Sequence, residues 1–351
     1  VWREIFFASK IGKQENTTMM QHQYIHRDSG RIIDESLIAD SWVQLLYGNA
    51  REKAPFVFKA LTSAWSSQWL GYMHFDLPLH RRPAKIRKII DALGIDMGEC
   101  VALPEDLDSA RKLFERQIQY WRCRPMPDSA HCVVAPSDSK ALVGDLHDNC
   151  GLFVKEKFFS YEEMLGPWQQ RWLSSFSGGR YAVFRLTPEK YHYNHTPVSG
   201  KVVDLYTIEG DYHSCNPGAV VTAVTPYSKN KRVVTIIDTD LPGGTGVGLV
   251  AMVEVVALMI GKIVQCYSAR RYDSPQCVQQ GLFLCKGQPK SLFRPGSSVV
   301  VLFFQKERMA FDADLLANCR RSGVHSRFSQ GFKQPLVETE VQVRSSIGVK
   351  V

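Results

Sequence analysis

Residues 294–304 read RPGSSVVVLFF, in which Gly296, Ser297 and Ser298 stand directly before an unbroken apolar run. Six successive apolar residues without a polar alternation predict a buried strand, and the Pro-Gly-Ser segment before it predicts a turn. The same texture recurs on either side. CVVAP at 132–136, KVVDLY at 201–206, AVVTAV at 219–224, RVVTIID at 232–238 and GLVAMVEVVALMIG at 248–261 are short Val/Ile-rich runs separated by Gly, Pro, Asn and Asp. Runs of this length and spacing predict a mainly antiparallel β domain.

The first 125 residues have a different periodicity. Leu37, Ile38, Trp42, Val43, Leu45 and Leu46 recur at helical spacing, as do Phe56, Ala60, Leu61, Ala64, Trp65 and Trp69. Ile86, Ile89, Ile90 and Leu93 follow Pro83 in the same rhythm. A further helix is expected from Glu105, with Leu107, Ala110, Leu113, Phe114, Ile118 and Trp121 on one face. RCRPMPDS at 122–129 ends that pattern with two prolines and marks a boundary. The expected fold class is therefore α+β, a helical region over 1–125 packed on a β-rich domain over 126–351.

With 351 residues, 44% of them hydrophobic, the chain buries a substantial core as one large or two ordinary domains. Forty-three Lys and Arg against 35 Asp and Glu give a net charge of +8, which suits an anionic partner such as a phospholipid surface or a nucleic acid. Nine cysteines form no CxxC pair and are odd in number, which favours reduced thiols in a cytoplasmic setting over a disulfide framework or a zinc site. The longest apolar tract, 247–261, is shorter than the ~20 residues of a membrane span and carries Glu254 in its middle, so it reads as buried strand.

Four short segments carry candidate chemistry. PGGTGVG at 242–248 lacks the Lys-Ser/Thr of a nucleotide loop and opens no helix, so it reads as a hairpin turn. YHYNHTPVSG at 191–200 sets His192 and His195 three apart; in a strand they point to opposite sides, which disfavours a shared metal and favours two separate tasks. APSDSK at 135–140 presents Asp138 in a turn. In the opening stretch, a Ser hydroxyl directly after a Gly can attack that Gly's carbonyl where a base takes its proton.

The order P-x-D, then YHxxHxPxxG, then GSS before an apolar strand resembles the phosphatidylserine decarboxylase family. YIHRDSGRIIDES from Tyr24, FERQIQYWRCRP from Phe114, VKEKFFSYEEMLG from Val154, FRLTPEKYHYNHTPVSG from Phe184, SKNKRVV from Ser228 and LVETEVQVRSSIG from Leu336 are similar to that family's landmarks in the same order. The resemblance covers nearly the whole chain. It implies self-cleavage between Gly296 and Ser297 in a β-rich catalytic domain over 126–351. Ser297 is then the attacking hydroxyl, His195 its base and Asp138 the partner of His195. The ester so formed undergoes β-elimination, and hydrolysis of the resulting dehydroalanine leaves a pyruvoyl group at Ser297 and releases ammonia. This covalent keto group is the cofactor; it condenses with a substrate amine and draws electrons from the carboxylate-bearing carbon.

The resemblance further assigns His192 to the decarboxylation itself. Tyr191 and Ser298 are expected in the substrate pocket, and no metal is implied. Phosphatidylserine becomes the substrate, an anionic membrane surface rather than a nucleic acid the partner, and a homodimer the assembly. The location it implies is the cytoplasm, with peripheral attachment to the inner face of the cell membrane through the helical region and the apolar VWREIFF at residues 1–7. Four positions depart from the family's usual pattern: Pro295 for Leu, Ser298 for Thr, Ser139 for Gly and Ser291 for Gly. Two competing readings are a soluble pyruvoyl-dependent decarboxylase of a free amino acid and an unprocessed interaction protein; vesicle binding separates the first, an intact chain mass the second.

Overall fold

The computed structural model describes residues 21–35, 37, 83–146, 158–222, 225–257, 262–294 and 298–351, with 83–86 described by backbone alone. The helical segments expected around Trp42 and Trp65, the apolar start of the chain, and the Pro295, Gly296 and Ser297 segment lie outside the described residues.

Sixteen strands are described: β1 (Gln23–His26), β2 (Ile32–Asp34), β3 (Cys132–Val134), β4 (Ser139–Asp145), β5 (Arg180–Leu186), β6 (Tyr193–His195), β7 (Gly200–Ile208), β8 (Arg232–Asp238), β9 (Leu249–Val256), β10 (Ile263–Gln265), β11 (Phe283–Leu284), β12 (Pro289–Phe293), β13 (Ser298–Phe304), β14 (Met309–Phe311), β15 (Thr339–Val341) and β16 (Ser346–Lys350). Ten of them form one sheet in the order β11-β7-β8-β9-β13-β5-β4-β15-β1-β2, antiparallel except where β1 meets β15. Two three-stranded sheets, β10-β12-β6 and β14-β16-β3, complete the β structure. The α+β class expected from the sequence is the class observed.

β13 is the strand of the opening stretch, and it is central. It pairs residue for residue with β5, from Ser298 opposite Leu186 to Phe304 opposite Arg180, and on its other edge with β9. Its side chains alternate between two cores. Val299, Val301 and Phe303 pack with Phe159, Trp172, Phe176 and Phe328 beneath one set of helices. Val300, Leu302 and Phe304 pack with Val133, Phe293, Leu315 and Ile347 on the opposite face. Burial on both faces is why the run has no polar alternation, each large side chain contributing roughly 1.5–3 kcal/mol.

Three local expectations are corrected. β1 and β2, from the stretch expected to be helical, join the main sheet. The helix expected from Glu105 to Trp121 is two short helices, Ala110–Phe114 and Tyr120–Cys123. The helical ladder is interrupted because Ile118 bridges to Cys100 and gives its N–H to the Tyr272 hydroxyl. Of AVVTAV, residues 219–222 lie in the helix Pro217–Thr222 and not in a strand, and 223–224 lie outside the described residues. Asn216 accepts the Gly218 N–H and Pro217 supplies a helix-ready φ, a start signal that outweighs the β preference of Val220 and Val221. The 242–248 segment does join β8 to β9 as a hairpin.

An ion cluster fastens β1 and β2 to the sheet. Arg185 on β5 donates to Glu35 (2.9 Å) and Glu338 (2.9 Å), Lys140 lies 3.0 Å from Glu35, and His22 lies 2.9 Å from Glu338. The two carboxylates are thus neutralised by two fixed cations in the interior; Arg185 and Lys140 hold Glu35 well below the usual carboxylate range against the opposing effect of burial.

Candidate active site

β6 is three residues long, and its last, His195, is held on both sides. Its N–H donates to Pro136 O (2.7 Å), two residues before Asp138, and its neighbour Thr196 donates to Gln288 O (2.9 Å). β6 pairs with β12, the strand that leads into Pro295-Gly296-Ser297, and Phe293 N–H donates to His192 O (3.1 Å). Both histidines are thereby carried on backbone bonded to the strand that precedes the Gly-Ser segment in the sequence, and the described residues flanking that segment are Arg294 and Ser298.

His195 is fully buried, edge-on to Tyr120 at 4.6 Å. Its Nδ1 lies 2.9 Å from Gly287 O, and its Nε2 lies 2.9 Å from the Tyr191 hydroxyl. A carbonyl only accepts, so Nδ1 carries the proton and Nε2 the lone pair, to which Tyr191 donates. Gly287 is required where it stands: its φ is +73°, and a Cβ there would meet Met126 Sδ at 2.4 Å. His192 is also fully buried, against the Phe114 ring at 3.6 Å. Its Nδ1 donates to Lys190 O (2.7 Å), which leaves the lone pair on Nε2, and that atom has no hydrogen-bond partner among the described residues.

Burial lowers both imidazoles to about 3, assisted by the Arg116 charge at His192 and opposed at His195 by the Gly287 hydrogen bond and the Asp138 charge. Both rings are neutral in the fold and take a proton in the unfolded chain below about 6.5. The stability they carry is complete above that pH and is lost as pH falls toward 3, by about 2 kcal/mol per ring at pH 5. Urea unfolding is therefore expected to show a stability falling steeply between neutrality and pH 5, with a shallower fall in His192→Gln; an unchanged slope in that variant would refute the burial account.

Asp138 does not pair directly with His195, contrary to the expectation. Arg124 takes its carboxylate through Nε (3.0 and 3.1 Å) and Nη2 (2.8 Å), and Val343 N–H donates to Oδ1 (2.8 Å). A fixed guanidinium charge outcompetes a neutral imidazole for a carboxylate. Arg124 also grips Glu99 through both terminal nitrogens, at 2.7 and 2.9 Å. A polar cavity of about 250 Å³ opens beside Asp138, walled by Arg27, Arg124, Lys190, Glu340 and Gln342 among others. Tyr191, expected to line a substrate pocket, is 1% exposed and its hydroxyl is spent on His195 and Tyr272. Ser298, the first residue of β13, is buried, and its Oγ has no hydrogen-bond partner among the described residues.

A second polar group joins β9 to β12. Glu254 on β9 is fully buried and receives Lys290 (2.7 Å), Gln265 (2.8 Å), Asn194 (3.4 Å) and Ser291. Lys290 is the extra residue of a bulge, since the β12–β6 register shifts between Pro289 and Ser291. The Ser that stands at 291 thus gives Glu254 a hydroxyl. The sequence reading did not single out Lys290, Arg124 or Tyr272. The one available signal was Glu254 itself, since a carboxylate inside an apolar strand demands a buried partner.

The fold and these residues make an α+β protein with two neutral, buried histidines on backbone bonded to the strand that precedes a Gly-Ser segment in the sequence. The family model described as phosphatidylserine decarboxylase matches residues 110–323. A phosphatidylserine decarboxylase proenzyme of Fusobacterium nucleatum is 27% identical over 89% of this chain and 96% of its own length. One of Clostridium tetani is 30% identical over 66% of this chain and 72% of its own. Phosphatidylserine decarboxylase proenzyme 3 of Schizosaccharomyces pombe is 26% identical over 99% of this chain, which spans 32% of that protein. The chain belongs to the phosphatidylserine decarboxylase family of carboxy-lyases.

Proposed function

We propose that the chain cuts itself between Gly296 and Ser297 and, with a pyruvoyl group formed from Ser297, removes the carboxylate of phosphatidylserine as carbon dioxide. The observation that carries this reading is the pair of neutral histidines, His195 ending β6 and His192 just before it, on backbone hydrogen-bonded to the strand that precedes the Gly-Ser segment, in a chain whose relatives are named proenzymes. His195 Nε2, once the Tyr191 hydroxyl turns away from it, takes the Ser297 hydroxyl proton as the oxygen attacks the Gly296 carbonyl. Asp138, fixed by Arg124, favours the protonated ring by its charge without touching it.

Two buried, unpartnered polar atoms, His192 Nε2 and Ser298 Oγ, fit a polar group formed at 297. The pyruvoyl carbonyl supplies the electron sink for the electrons that carbon dioxide leaves behind. His192 takes a proton from the substrate's ammonium group and returns it to the carbon that loses its carboxylate. We place the protein peripherally on the inner face of a membrane, as a homodimer; the excess of basic residues supports attraction to anionic lipid. No helix among the described residues is long and apolar enough to cross a membrane.

The processed protein is expected to float with phosphatidylserine-containing vesicles, release carbon dioxide from them, and lose vesicle binding when Trp2, Phe6 and Phe7 are made polar. Carbon dioxide from a free aromatic amino acid, with none from phosphatidylserine in vesicles or detergent, would overturn the substrate and leave the cofactor chemistry standing.

A further inference from the structure

We propose that Asn194 is a substrate-binding residue: its side-chain oxygen accepts an N–H of the substrate's primary ammonium group. The proposal rests on the decarboxylation reading above. Asn194 is fully buried, and its Oδ1, like His192 Nε2 and Ser298 Oγ, has no hydrogen-bond partner among the described residues.

The orientation of the amide follows from counting protons. Glu254 Oε2 takes Lys290 Nζ (2.7 Å) and Gln265 Nε2 (2.8 Å), and Oε1 takes the Ser291 hydroxyl, so both carboxylate oxygens are acceptors. The single proton of Ser291 is spent there, and its oxygen is left to accept. Asn194 therefore turns Nδ2 to this pair, 3.1 Å from Ser291 Oγ and 3.4 Å from Glu254 Oε1. Reversed, the amide would set its oxygen against the carboxylate and leave Ser291 without its donor. Oδ1, on the other arm of the amide, is thereby fixed as a bare acceptor.

Strand alternation sets His192, Asn194 and Ser298 toward one layer. Tyr191 stacks on Tyr193 and bonds His195, so these three share one side of the β6 segment, and His192 and Asn194 share the other. Asn194 stands opposite Ser291 on β12, and Phe293, on the same side as Ser291, packs with Val300 and Leu302. Ser298 alternates with Val300, which lies opposite Glu254 on β9, so the Ser298 hydroxyl enters the layer between the two sheets from the β13 side.

Only a donor can satisfy Asn194 Oδ1. His192 Nε2 offers a lone pair, and a keto group offers oxygen alone. A primary ammonium brings three N–H, for which Asn194 Oδ1, His192 Nε2 and Ser298 Oγ are acceptors. An amide oxygen does not take the proton itself, so Asn194 holds the nitrogen while His192 removes the proton. A trimethylammonium has no N–H to give, and its methyl groups would leave a buried carbonyl stranded.

The test is binding, read by calorimetry with two soluble lipids that lack the reacting carboxylate. Dihexanoylphosphatidylethanolamine carries a primary ammonium, and dihexanoylphosphatidylcholine a trimethylammonium. Intact mass is expected to show the same cut in the unmodified protein and in Asn194→Leu, a change that keeps the side chain's shape. The processed variant is then expected to bind the ethanolamine lipid about ten- to a hundredfold more weakly, the worth of one hydrogen bond to a charged group, and the choline lipid as before. A folded variant that stays whole, one that binds the ethanolamine lipid as tightly as the unmodified protein, or one that loses both lipids alike overturns the proposal. Should Asn194→Leu fail to fold, Asn194→Ala decides it by the same ratio of affinities. An unmodified chain that stays whole overturns the decarboxylation reading and this proposal with it, whereas a cut chain with an unchanged ratio removes the role of Asn194 alone.

Discussion

Ser297→Ala and His195→Ala are each expected to leave one intact chain where the unmodified protein yields two, the first ending at Gly296 and the second, blocked at its amino end, running from 297 to 351. Without the hydroxyl there is no nucleophile. Without the imidazole, the hydroxyl keeps its proton at neutral pH, and loss of a general base slows such a step by roughly 10²–10⁴-fold. Intact mass and a denaturing gel read the outcome directly. A chain that stays whole while fully active, with a free Ser297, would end the pyruvoyl reading altogether.

His192→Ala is expected to behave differently. The two rings share burial and neutrality, yet of the two only His192 leaves its basic nitrogen without a hydrogen-bond partner among the described residues. On the proposed function, that lone pair is the site that takes up and returns a proton during turnover. The variant should process normally and then decarboxylate roughly 10²–10⁴-fold more slowly, the usual contribution of a positioned acid or base. Two uncleaved variants, His192→Ala and His195→Ala alike, would refute the division of tasks between them.

What the sequence made legible followed from local physics. The run from Val299 to Phe304 declared a strand because both its faces are buried, and the 242–248 turn declared a hairpin because glycines crowd between two apolar runs. AVVTAV misled because β-branched residues were weighed without the Asn216-Pro217 helix start. β1 and β2 escaped notice because four- and three-residue strands carry little periodicity, and the charges that dock them, Glu35 with Arg185 and Lys140, are far apart in the chain. At the candidate site the histidines were readable from spacing, but their partners were not. Asp138 looked like an orienting carboxylate until Arg124 was seen on it, and Tyr191 looked like a pocket wall until its hydroxyl was found on His195.

The central place of β13 gives the proposed cut a further meaning. The segment after residue 297 supplies β13 between β9 and β5, β15 between β4 and β1, and β16 between β14 and β3. Such a piece cannot peel away while the sheets persist, so the severed molecule keeps its shape. Its history, however, becomes one-way. Before the cut, a denatured molecule regains its architecture by a first-order search within one chain; afterwards two separate polymers must find each other, a second-order event that dilution slows without limit. The cleaved protein then endures by the slowness of its unfolding and not by its capacity to re-form.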